Sequence, residues 1–180
     1  MFSHGSSCSD WIDFGASLCD DTASASYFPY MKPDEGTAKN LVRDALALQG
    51  HRKGLLILGL GIHYGLRSEL MKERVLLPLL RNLTSPSTPN NLRLLWAGIH
   101  TPGILKSPAY EEQMYRAVMR FNEEMFTELR AWHMPVFDTV NMTSQGLMSF
   151  DGTHYGLGVN LVKATILLNY LLELRAKGEW

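Results

Sequence analysis

The sequence is poor in several things, and each lack excludes a class of protein. It holds 2 cysteines in 180 residues, Cys8 and Cys19, with no CxxC pair. That spacing does not make a zinc knuckle, and two thiols alone do not fix a redox compartment. Excess charge is missing too: 17 basic side chains stand against 18 acidic ones, for a formal net charge of −1. Nucleic-acid binding needs a clustered basic surplus, so it is not expected. The longest unbroken apolar run, Leu55 to Ile62, is far shorter than the roughly 20 residues that cross a bilayer, so no membrane span is expected. The opening residues, Met1-Phe2-Ser3-His4-Gly5-Ser6-Ser7-Cys8, have neither the basic start nor the apolar stretch of a signal peptide. No H-E-x-x-H or similar short-range metal motif occurs.

What is present is one domain's worth of core. Hydrophobic residues make up 46% of the chain and charged residues 19%, enough to fold a single domain and too apolar for disorder. Residues 1–36 read as an irregular N-terminal segment, and residues 37–180 as one α/β domain. Thr37 is placed to cap a helix whose apolar face is Leu41, Val42, Ala45, Leu46 and Leu48. Leu55–Leu60 reads as a strand buried on both faces, as in a parallel sheet. A helical pattern follows over 66–81, and 82–91 reads as a loop. A second strand is predicted over 92–99. A long amphipathic helix spans 110–132, with Met114, Val118, Phe121, Met125, Phe126 and Leu129 on one side. A short third strand is predicted over 135–140, and a leucine-rich helix over 156–176.

Alternating helix and strand imply βα units around a parallel sheet, which binds ligands beyond the carboxyl ends of its strands. Three of the six histidines fall at such ends or in the loop after the last strand: His63, His100 and His154. The sharpest pair is Asp151 and His154. A carboxylate three residues before a histidine, across a glycine-containing turn, can fix the imidazole tautomer, and the histidine can then take a proton from a hydroxyl. The structural alternative is that Asp151 or Thr153 caps the last helix and His154 is incidental. A rival arrangement has His63, His100 and His154 converge with Asp151 on a metal ion.

Asp151-Gly152-Thr153-His154-Tyr155 resembles the last block of the SGNH (GDSL-like) hydrolases, most closely their PC-esterase branch, which includes trichome-birefringence-like and NXPE-like proteins. Leu58-Gly59-Leu60-Gly61-Ile62-His63-Tyr64 is similar to that branch's strand ending in G-x-H. Leu94-Leu95-Trp96 followed by His100-Thr101-Pro102 resembles its W-R-x-x-x-P-x-H strand, with Ala97 in place of the arginine. Residues 136–143 resemble its V-L-D-x-x-x-M-T segment. The resemblance spans about residues 55–172 and implies a three-layer α/β/α sandwich with a short, mostly parallel sheet; a chain without the N-terminal block would lack its first strand. It implies an esterase or O-acyltransferase acting on O-acyl groups, those of carbohydrate among them, without a cofactor. His154 is then the general base and Asp151 its orienting carboxylate. Gly61 and His63 would occupy oxyanion-donor positions, with His100 nearby in the substrate-binding set. Such proteins usually act in the secretory pathway; of two sequons, the one at Asn82, in the predicted loop, suits glycosylation, whereas a glycan at Asn141, near the proposed active edge, would obstruct it.

The family's nucleophile lies in a G-D-S block, which this sequence lacks. Ser17, in Gly15-Ala16-Ser17-Leu18, is the nearest match. A second reading aligns Met1-Phe2-Ser3 with the helix after that block, so that the chain starts beyond the serine. The non-catalytic alternative is a degenerate hydrolase fold that binds a glycan or protein partner.

Overall fold

The computed structural model describes residues 15–18, 23–27, 34–49, 54–83, 92–144, 149 and 151–179. Cys8 and Cys19 lie outside them. The chain divides into two units, 1–30 and 31–180.

In the first unit, β1 (Gly15–Leu18) and β2 (Ala23–Ser26) form a two-stranded antiparallel ladder, with Ser17 opposite Ser24. Part of the stretch expected to be irregular is therefore a hairpin. Its residues are small, and the run is too short for a period of two to stand out in the sequence.

The second unit is built on a three-stranded parallel sheet of β3 (Gly54–Leu58), β4 (Leu92–Ala97) and β5 (Val136–Phe137), in the order β3-β4-β5. Helix α1 (Glu35–Gln49) contacts β3 and β4, and α4 (Tyr115–Ala131) contacts β5. This is an α/β sandwich, as the alternation predicts. Its helices start and stop for local reasons. Asp34, not Thr37, caps α1: its Oδ1 accepts the Thr37 N–H at 2.7 Å. Between α2 (Ser68–Met71) and α3 (Leu77–Leu83) the helix widens into a π turn over Lys72–Leu76. Pro78, which has no N–H to give the preceding turn, follows directly. Asn82 falls on the last turn of α3 rather than in a loop, where its amide donates to Pro78 O at 2.8 Å.

The core centres on β4 and α4. Leu95, Trp96, Phe121, Met125 and Leu129 are fully enclosed. Strand β3 departs from expectation: among the described residues it is an edge strand, and Ile57 is 41% exposed, so it is not buried on both faces. The third strand shrinks to two residues because side chains take over the pairing. Asn122 holds both polar atoms of the Ile99 backbone, accepting from its N–H at 2.9 Å and donating to its carbonyl at 2.7 Å. Thr139 donates to Gly98 O at 2.6 Å, and Thr143 Oγ1, at the end of the short helix α5 (Val140–Thr143), accepts the Thr101 N–H at 3.0 Å. These bonds aim the chain leaving β4 toward the last loop. Asn122→Ala strands two buried backbone groups and is expected to cost about 3 kcal/mol, read as a lower urea midpoint.

The last helix, α6 (Leu157–Ala176), touches β5 through Tyr170 and Phe137, whose rings lie 5.9 Å apart. Leu157, Leu161, Leu168 and Leu172 are nevertheless exposed. By length and composition alone, this helix is apolar enough to cross a membrane. Counting unbroken runs missed it because Asn160, Lys163 and Asn169 interrupt the sequence.

Candidate active site

The site lies where the loops after β3 and β4 meet the loop before α6. Gly61 ends the first of these. Its φ of 149° and its close approach to the Phe121 ring, where a Cβ would come within 2.7 Å, both require glycine. A 3₁₀ turn, Ile62–Tyr64, follows and leaves His63 exposed. Ile62, His100, Pro102, Lys106, Gly152 and Thr153 together line a small depression.

Asp151 and His154 are joined directly: Asp151 Oδ2 lies 2.5 Å from His154 Nδ1. The other carboxylate oxygen accepts the backbone N–H groups of Thr153 at 2.8 Å and His154 at 2.7 Å. Burial alone would raise the Asp151 carboxyl, but the donors from His154 and Thr153 outweigh it and hold it below the usual carboxylate range. The pair is exposed, with side chains 43% and 48% accessible, so it faces solvent and can meet a substrate. Asp151 is not the cap of α6. That helix starts after Gly156 with no side-chain cap, five residues beyond Asp151. A carboxylate on Nδ1 leaves Nε2 as the basic nitrogen.

His100 lines the depression and also bonds to the turn that carries Asp151. Its Nε2 lies 2.6 Å from the Thr153 carbonyl, and its ring meets Tyr155 edge-on at 5.2 Å. A carbonyl can only accept, so Nε2 carries the proton. Burial, and then the positive charge of Lys163, push the His100 pKa down to about 4. The Thr153 carbonyl and Asp151 work against this shift, and His154 adds to it.

A pH dependence follows. The unfolded histidine titrates near 6.5 and the folded one near 4, so the unfolded state binds the extra proton between these values. Folding stability therefore falls as pH drops from about 6.5 to about 4, by up to about 3 kcal/mol. Urea midpoints across that window measure it, and His100→Gln is expected to flatten the slope.

Sequence reasoning missed Lys106, Gln113 and Tyr155. Lys106 Nζ donates to Gln113 Oε1 at 2.5 Å and to Thr153 Oγ1 at 2.6 Å. Tyr155 OH donates to Thr101 O at 2.9 Å. Only the tyrosine, next to the D-x-x-H block, carried a sequence signal. Lysine and glutamine on a polar stretch carry none. Among the described residues, no three histidine, cysteine, aspartate or glutamate side chains converge as metal ligands. Ser17 lies in the other unit, within a regular antiparallel ladder, whereas a strand-to-helix turn is what exposes a hydrolase nucleophile.

No protein-family profile matches the chain. No curated protein matches it in sequence. Among solved structures it is similar to Est24, a carbohydrate acetylesterase from Sinorhizobium meliloti. The TM-score is 0.58 at 14% identity, over 77% of this chain and 68% of that one. The likeness is one of fold: the chain has a hydrolase-like α/β sandwich similar to that of an esterase.

Proposed function

We propose that this protein is a carboxylic-ester hydrolase or acyltransferase of the SGNH type, acting on O-acyl groups of a small molecule or glycan. The observation that carries this reading is the Asp151–His154 contact at 2.5 Å, in the loop after the last strand of a parallel sheet. In this mechanism Asp151 holds His154 as the Nδ1–H tautomer, and Nε2 takes the proton of a serine hydroxyl as that oxygen attacks the acyl carbonyl. The imidazolium then protonates the leaving alkoxide. Water, deprotonated by the same nitrogen, releases the acid; a second alcohol would instead accept the acyl group. Ser17 is the nearest match to the family's nucleophile that the sequence offers. The proposed oxyanion donors are the Gly61 N–H and the His63 ring, both at the end of β3. The carbohydrate acceptor is suggested by the PC-esterase resemblance and by the activity of the structural neighbour.

A second reading has one observation in its favour, the placement of Ser17 in a β ladder. On it, the fold binds an acylated glycan or a protein without turning it over. Hydrolysis of p-nitrophenyl acetate separates the two: turnover that depends on His154 supports the esterase, and an inert protein that retains glycan binding supports the binding module.

A further inference from the structure

The turn that carries Asp151 and His154 is gripped from outside at three consecutive acceptors. Gly103 N–H donates to Gly152 O at 3.0 Å. His100 Nε2 donates to Thr153 O at 2.6 Å, and Lys106 Nζ donates to Thr153 Oγ1 at 2.6 Å. All three donors come from the segment just after β4. Lys106 is itself held by Gln113 and by the Tyr110 ring, 5.0 Å from its ammonium. The turn's own donors, the N–H groups of Thr153 and His154, are taken by Asp151. Donors satisfied from within and acceptors from without leave the turn little freedom to rotate.

We propose that His100 and Lys106 are positioning residues: with the Gly103 N–H on Gly152 O, they clamp the carbonyl and the hydroxyl of Thr153, and so fix the rotamer and separation of the Asp151–His154 pair. His100 then acts through Thr153 and not on substrate. The clamp requires a proton on Nε2 of His100, since the Thr153 carbonyl can only accept. Lys106 supplies a permanent charge-assisted bond that does not depend on histidine tautomer. The catalytic meaning of the clamp rests on the esterase reading above, while its effect on the pair's geometry does not.

The test uses the full chain labelled with ¹⁵N-histidine, in which the Nδ1 proton shared by His154 and Asp151 is followed as a downfield resonance and assigned by its loss in His154→Ala. Lys106→Met and Thr153→Val are expected to broaden or abolish that resonance, and to speed amide exchange at Thr153 and His154 about ten-fold. Thr153→Ser, which keeps the hydroxyl, is expected to restore both. Val75→Ala, a core truncation in the π turn, is expected to lower the melting temperature while leaving the resonance in place, which separates positioning from general destabilisation. Where the parent hydrolyses ester, Lys106→Met is expected to lower kcat ten-fold or more, with KM within two-fold. A parent without the resonance would overturn the proposal, as would clamp variants that keep it. A parent that shows the resonance, loses it in the variants and yet hydrolyses nothing would uphold the clamp and sink the esterase reading.

Discussion

His154→Ala is expected to lower the rate of p-nitrophenyl acetate hydrolysis by about 10²–10⁴-fold, the range set by removing a positioned general base. Its side chain is 48% exposed, so the substitution opens no cavity, and the melting temperature is expected to stay within a few degrees. Asp151→Asn is the finer probe of the same pair. An asparagine amide can donate to Nδ1, where the carboxylate can only accept. Donation there moves the imidazole proton to Nε2 and removes the base without removing the ring. A comparable rate loss is therefore expected from a change of one atom. Substrate binding, read as KM, is expected to change little, since neither group is assigned to hold the acyl donor.

Gly152→Ala is expected to be the most damaging single substitution in the loop. Gly152 has a φ of 81°, in the left-handed region. A Cβ there would come within 2.1 Å of Lys106 N, 2.2 Å of its Cα and 2.5 Å of Leu105 C. These are backbone atoms, so no side-chain rotation relieves the clash. The loops after β4 and before α6 must separate, breaking the Gly103–Gly152 bond and the grips on Thr153 together. Strain at positive φ and overpacking sum to about 3–4 kcal/mol, measured as a fall in the urea midpoint, and hydrolysis is expected to fall with it. Gly158→Ala is the matched control. A Cβ there meets nothing within 4 Å and the site lies within α6, so a small gain of about 0.5–1 kcal/mol is expected.

The order of strands and helices was legible because each long element carries a full period of apolar residues. Helix α4 shows this best: Val118, Phe121, Met125 and Leu129 recur at helical spacing, and all are buried. The Asp151–His154 pair was legible because the contact is local, three residues apart. The clamp was not, because His100, Lys106 and Thr153 are brought together only by the path of the chain after β4. That path depends in turn on Asn122, a polar residue on an otherwise apolar helix face. The edge position of β3 was hidden for a related reason: a continuous apolar run reads the same whether one or both of its neighbours are present. The cap of α1 was placed three residues late, at Thr37, because the helix starts at Glu35 and only the backbone there shows that Asp34 precedes it.

His154 and Asp151 are proposed to activate a serine. Incubating the full chain with a fluorophosphonate and mapping the adduct by mass spectrometry tests this directly, because the reagent bonds to a serine only when a neighbouring base has made it nucleophilic. One adduct per chain is expected, absent from His154→Ala and from Asp151→Asn, and an adduct on Ser17 would assign it as the nucleophile. An adduct on another serine with the same dependence would move the nucleophile and keep the mechanism. No adduct, or one indifferent to His154, would rule out activation of a serine by the Asp151–His154 pair.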